Sequence, residues 1–231
     1  CIIFLVYICS ATRHIYGDYW SAILNGALLV EKAVELKELS VTDPLTQLHT
    51  RSYFNHHLDT AWKRACRNHQ PVTATLVDLD FFKLVNDKYG PAIGDLCLQK
   101  AAELLNKYGQ RAGDAVARYG GEELVVCFSN TESTSAAKIA AKIIADFRAM
   151  EVTTAETPIH LRCSIGICSC ILDDSIRQSD LLTDADAAMY QAKQNGRDRF
   201  EIFERKTDKV AGCAMHNRVG NYQSSVPAAT Q

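Results

Sequence analysis

The chain has 231 residues, 47% of them hydrophobic and 23% charged, which suffices for one sizeable core and an appendage. A formal net charge of -2 at pH 7 creates no global field that would gather nucleic acid, so no nucleic-acid partner is expected and anionic ligands must be held by local Lys and Arg clusters. Nine cysteines, an odd number without a C-x-x-C pair, sit mostly in apolar runs and read as buried thiols of a reducing compartment.

At the N-terminus, CIIFLVYICSAT is apolar for about a dozen residues, short of the roughly 20 that span a bilayer, and no basic region precedes it as in a signal peptide. Residues 1–18 are therefore expected to be the end of a truncated membrane helix or of a sensor-domain helix. From residue 19 to 42, Val30, Ala33, Val34, Leu36 and Leu39 alternate with Glu31, Lys32, Glu35, Lys37 and Glu38 at helical spacing, which predicts an amphipathic stalk. It ends at Ser-Val-Thr-Asp-Pro, where Pro44 disfavours helix in the residue before it.

The pattern then predicts a helix over 51–68, a strand over 72–80, a helix over 94–108 and two short strands flanking Gly120-Gly121. A helix over 133–150, a strand over 159–170, a helix over 179–194 and a strand over 199–203 complete a domain spanning residues 43–205. The order β-α-β-β-α-β lies within this series, so the expected class is α+β, a ferredoxin-like or palm-type central antiparallel sheet flanked by helices. Residues 206–231 mix Gly, Asn, Ser, Pro and Ala without periodicity and are expected to be disordered.

In TATLVDLDFFKLVND, Asp78 and Asp80 interrupt an apolar strand two residues apart, which puts both on one face at its end. Buried carboxylates need cations or donors; a solvated strand end is the plain alternative. If the strands around Gly120 and Gly121 form a hairpin in the same sheet, Glu122 and Glu123 join the two aspartates. Clustered carboxylates suit hard ions such as Mg²⁺ (or Mn²⁺), and two such ions per site can serve a phosphoryl or nucleotidyl transfer. The glycines would then let a phosphate or base approach the backbone. Lys193 and Arg197, close together at a helix end, suit phosphate oxygens, although cations there commonly just complement the helix dipole. Cys163, Cys168 and Cys170 are not expected to bind metal, because alternation puts Cys163 on the opposite face of its strand from the other two.

These motifs together resemble the GGDEF family of diguanylate cyclase domains, whose signature reads here Gly120-Gly121-Glu122-Glu123-Leu124. The likeness runs from Asp43-Pro44-Leu45-Thr46 through Asp78-Leu79-Asp80-Phe81-Phe82-Lys83, Asn86-Asp87, Tyr89-Gly90, Gly94-Asp95 and Arg118-Tyr119. It continues with Ser164-Ile165-Gly166, Ala185-Asp186, Met189-Tyr190, Ala192-Lys193 and Gly196-Arg197. The resemblance implies a homodimer that joins two GTP into cyclic di-GMP. Asp78 and the Leu79 carbonyl match metal ligands, and Glu122 and Glu123 complete the metal and catalytic set, with their two roles undivided. Asn86 and Asp95 match the readers of guanine, while Phe81, Phe82, Lys83, Gly120, Gly121, Lys193 and Arg197 surround the triphosphate.

Arg111-Ala112-Gly113-Asp114 matches the family's product-inhibition motif, a surface ion pair being the plain alternative. The resemblance further implies a cytoplasmic catalytic domain, with an upstream sensor and membrane tethering left open. Departures are Leu124 for Phe, Pro91 where many members have His, and Gln47 and Thr50 for Gly and Asn. The competing readings are a catalytically silent domain that binds cyclic di-GMP or GTP, and a general nucleotidyl transferase on the same sheet.

Overall fold

The computed structural model describes residues 40–153, 158–171 and 178–203, with scattered helical positions between 13 and 28. Most of the expected stalk and apolar segment, and all of the expected tail, lie outside the described residues. In chain order the elements are β1 (His49–Thr50), α1 (Arg51–Asn68), β2 (Pro71–Leu79), α2 (Phe82–Tyr89), α3 (Pro91–Asn106), β3 (Ala115–Gly120) and β4 (Glu123–Ser129). They continue with α4 (Ser133–Ala149), β5 (Glu151–Thr153), β6 (Pro158–His160), β7 (Cys163–Ile171), α5 (Gln178–Gln194) and β8 (Arg199–Phe203).

Four antiparallel strands in the order β3-β4-β2-β7 form the centre, the arrangement that a β-α-β-β-α-β connection produces. Parallel pairing at both edges, β1 with β3 and β8 with β7, makes the six-stranded sheet mixed. Helices cover both faces, which explains why β2 is buried at every position from Val72 to Leu79 instead of alternating. On one face Leu98, Ala101 and Leu105 of α3 and Ile143 and Phe147 of α4 pack on Val77, Leu79, Val126 and Ile165. On the other, Phe54, Leu58 and Ala61 of α1 and Leu181, Ala185 and Met189 of α5 pack on Ala74, Leu76, Val125 and Cys168.

The sheet separates Cys163 from Cys168 and Cys170, as alternation requires. Burial raises the thiol pKa of Cys97, Cys127 and Cys163 and keeps them protonated, whereas Cys66 is exposed. Two elements differ from the sequence pattern. The strand expected over 159–170 breaks at Leu161-Arg162, so β6 pairs with β5 in a separate hairpin and only β7 joins the main sheet. The helical region begins earlier than 94: α2 is an eight-residue helix that Gly90, at φ 85°, separates from α3, and Pro91 opens α3. Helix α2 starts at Phe81 in a left-handed conformation with no side-chain cap, so the usual start signal is missing.

Gly166 sets the distance between β7 and α5. A Cβ there would lie 2.0 Å from the Ala185 carbonyl oxygen and 2.3 Å from the Met189 nitrogen, both backbone atoms that cannot step aside. Gly166→Ala is expected to lower stability by about 1–3 kcal/mol, the usual range for overpacking, as read by chemical denaturation.

Candidate active site

Asp78 lies at the end of β2, with Glu123 of β4 beside it on one side and Ser164 of β7 on the other. Its carboxylate faces α5 and is 6% exposed. Lys193, near the C-terminus of α5, reaches it with Nζ 2.8 Å from Oδ2. Burial is the main influence on Asp78 and raises its pKa; Lys193 opposes this, but the charges of Glu122 and Glu123 push the same way as burial and the net shift is upward. Three carboxylates thus crowd one strand end with a single ammonium between them and neutrality.

The hairpin differs from the expected Gly-Gly turn. Gly120 is still in β3, paired with Glu123 after a bulge at Tyr119, and the two connecting residues are Gly121 and Glu122. Neither glycine has a left-handed φ, so turn geometry does not demand them. A Cβ on Gly120 would stand 3.2 Å from Glu123 Oε2, a tight contact with a flexible side chain, and Gly121 faces open space. Arg118 fixes the turn from outside, donating from Nε and Nη2 to the Gly121 carbonyl at 3.0 and 2.9 Å. Its Nη1 reaches Asp43 at 3.3 Å.

Burial alone would raise the Asp43 pKa. Hydrogen bonds from the Thr46 N–H and hydroxyl, both 2.8 Å, together with the Arg118 charge, outweigh burial and hold it below its ordinary value. Arg51 stacks 4.4 Å over Tyr119 and steadies the bulge. The link from Asp43 through Arg118 to Gly121 was absent from the sequence reading, since 75 residues separate the two charges.

Beside the turn, a cleft of about 430 Å³ brings together Phe82, Lys83, Asn86, Asp95, Gly121 and Glu122, with Pro91, Leu98 and Arg118 completing its wall. Asn86 sits against Gly94, where a Cβ would come within 1.8 Å of Asn86 Oδ1, so that glycine lets α2 and α3 close around the cleft. The uncapped start of α2 leaves its first N–H groups for an outside acceptor, a natural anion site. Phe81 is exposed, and the Arg197 guanidinium covers its ring at 4.7 Å.

Asp80 is held differently from the sequence-based grouping with Asp78. It lies past the end of β2, with Oδ1 accepting from the Ser164 hydroxyl at 2.7 Å and Oδ2 from the Asp198 N–H at 2.9 Å. Both oxygens serve the scaffold. Arg111 and Asp114 lie at the opposite end of β3 from the turn, away from the cleft. Asp114 Oδ1 accepts from the Ser129 N–H at 3.0 Å, and Oδ2 is buried without a hydrogen-bond partner among the described residues. Burial raises its pKa against the opposing charges of Arg111 and His57.

The departures are accommodated. Leu124 is fully buried, Thr50 caps α1 by accepting from the Tyr53 N–H, and Gln47 takes the left-handed φ of 58° that glycine would adopt without strain. Among the described residues, no group of three or more His, Cys, Asp or Glu side chains is arranged to hold a metal ion. The donor chemistry nevertheless fits a hard divalent cation: all-oxygen ligands, excess negative charge at Asp78, and room for phosphate to complete the coordination shell.

Residues 40–199 match the family described as "Diguanylate cyclase, GGDEF domain". The chain belongs to this family. It is 33% identical over 207 residues to diguanylate cyclase A of Treponema denticola, covering 86% of this chain and 55% of the relative, so it spans about half that protein's length. Among solved structures it is similar to the GGDEF domain of DgcB from Caulobacter crescentus, determined in complex with c-di-GMP, with a TM-score of 0.67 and 26% identity over 71% of this chain and 94% of that one. It is also similar to the active GGEEF domain of a diguanylate cyclase from Vibrio cholerae, with a TM-score of 0.64 and 30% identity over 69% of this chain and 99% of that one. The GGDEF signature is thus the β3–β4 connection, with Glu122 at its tip and Glu123 beside Asp78. Among the described residues, no helix is long and apolar enough to cross a membrane.

Asp78→Asn should stabilise the fold at neutral pH. An acid whose folded pKa is raised binds its proton more tightly when folded, so its ionisation destabilises the fold above that pKa. The metal-free variant is expected to melt above wild type at pH 7, with the gap closing toward about pH 4, as thermal melts across that range will read.

Proposed function

We propose that this chain is a diguanylate cyclase that converts two GTP into cyclic di-GMP and two pyrophosphates. The observation that carries this reading is the single cleft in which Lys83, Asn86, Asp95, Gly121 and Glu122 meet, adjoining the Asp78 and Glu123 pair. Asp95 can accept from the N1–H and N2–H₂ donors of guanine together, and Asn86 offers both a donor and an acceptor to the same base. The open N-terminus of α2, with Lys83, Lys193 and Arg197, suits the triphosphate, while Phe81 and Phe82 border it.

Asp78, the Leu79 carbonyl, Glu122 and Glu123 would hold Mg²⁺ or Mn²⁺, two per site. The bound ions supply charge neutralisation for the phosphates and lower the pKa of an attacking hydroxyl. Glu123, fixed in β4 beside Asp78, is the better metal anchor. Glu122, at the turn tip on the cleft wall, is better situated to take the 3′-hydroxyl proton as its oxygen bonds to the α-phosphorus of the other GTP and pyrophosphate leaves. One cleft holds one GTP, so closing the ring requires two copies facing each other, and the segment before Thr42 is a natural dimerising stalk. The buried thiols and a GTP substrate agree with a cytoplasmic domain.

Arg111 and Asp114 form the proposed product-inhibition site. The exposed Arg111 offers donors to the O6 and N7 acceptors of guanine, and His57 Nε2 and Ser129 Oγ, 2.9 and 2.6 Å from the Gly113 carbonyl oxygen, hold the loop. A catalytically silent role is disfavoured because Asp78, Glu122 and Glu123 are all retained, and glutamate in the third signature position also occurs in the active Vibrio cholerae domain.

Purified dimeric protein incubated with GTP and Mg²⁺ is expected to yield cyclic di-GMP on nucleotide chromatography; GTP left intact would refute the reading. Glu123→Gln should reduce turnover by roughly a hundredfold or more while the thermal melt stays cooperative. Arg111→Ala should raise the cyclic di-GMP concentration that half-inhibits the enzyme by about tenfold, as expected for losing a bidentate contact to guanine, measured from initial rates with added product.

A further inference from the structure

Behind the cleft, two arginines from distant elements converge on one carboxylate. Arg148, in the last turn of α4, donates from Nε to Asp198 Oδ2 and from Nη2 to the Asp198 carbonyl, both at 2.9 Å. Arg162, between β6 and β7, holds Nε 3.5 Å from the same Oδ2. The Asp198 N–H donates to Asp80 Oδ2, and the Asp80 N–H donates to the Arg162 carbonyl at 2.9 Å, so the set closes on itself two residues beyond Asp78.

The loop so clamped is strained. Gly196, Arg197 and Asp198 have φ of 108°, 62° and 49°, three successive left-handed residues of which only the first is glycine. Phe81, at φ 58°, is strained too, and Arg197 stacks on it. Asp198 Oδ1 is also buried without a protein partner among the described residues. Left-handed non-glycine residues and orphaned polar atoms persist only where the surroundings over-determine them, and they cluster where function uses the geometry. Relaxing either residue to an ordinary φ would swing the Arg197 guanidinium off the Phe81 ring.

We propose that Asp198, clamped by Arg148, Arg162 and Asp80, is a positioning residue for the polyphosphate of the nucleotide, acting by holding Arg197 over Phe81. This rests on the reading of the cleft as a GTP site and adds to it two arginines from α4 and the β6–β7 connection. Arg148 and Arg162 act through Asp198, because their guanidinium groups are already engaged with it.

The test is displacement of a fluorescent GTP analogue from the full chain by inorganic tripolyphosphate and, separately, by GMP. Wild type is compared with Asp198→Asn and with Arg148→Ala, whose side chain is half exposed, so its removal leaves the core intact. In both variants the half-displacing concentration of tripolyphosphate is expected to rise fivefold or more, with that of GMP changing less than twofold. Equal rises for both competitors would indicate general loosening and overturn the positioning role, as would unchanged values for both. Wild type that binds no analogue would instead overturn the GTP reading, and with it this inference.

Discussion

A buried carboxylate at the end of a central strand is the constraint from which the rest of this site follows. Asp78 stands between β4 and β7, shielded from water, with Glu122 and Glu123 adding negative charge and Lys193 partly compensating. Such an arrangement opposes folding by itself, because desolvation penalises the charged form. It is maintained by a well-packed domain with helices on both faces of the sheet.

Around that point, each connecting loop is tied from outside. The signature turn is held by Arg118, which joins the Gly121 carbonyl to the Asp43 carboxylate just after the expected stalk. The loop carrying Arg197 is tied through Asp198 to Asp80 and Ser164, and the close packing at Gly166 fixes α5 and hence Lys193. These supports are charge-assisted hydrogen bonds or steric contacts with backbone. They keep side chains at set distances without filling the cleft.

The glycines show how one residue type serves different physical ends. Gly90, Gly113 and Gly196 supply left-handed φ, and Gly166 permits β7 and α5 to touch. Gly120 and Gly121 supply neither, and their use is empty space beside Glu123 and at the cleft mouth. Gln47 illustrates the converse, a side chain accepting a glycine-like conformation and stabilised in part by its bond to the Pro44 carbonyl.

Much of this was readable in the chain itself. Apolar periodicity identified the central strands and the long helices, since burial on a sheet or helix face leaves a direct trace in residue order. The paired acids at 78 and 122–123, the late Lys193 and Arg197, and the spacing of the intervening motifs led to the family and to the proposed site residues. Helix α2 was not legible, because it begins without a cap and is only eight residues long. The break before β7 was hidden because the strand-like alternation of Ile159, Leu161, Cys163 and Ile165 carries straight across it. The separation of Asp80 from Asp78, the Arg118 to Asp43 pair and the Asp198 clamp depended on contacts between residues far apart in the chain, 50 positions for Arg148 and Asp198 and 118 for Asp80 and Asp198. Sequence determined which chemical groups were available and on which faces they would lie; only the tertiary structure decided which became paired, because hydrogen bonds and charges act over a few ångströms of space and take no account of distance along the chain.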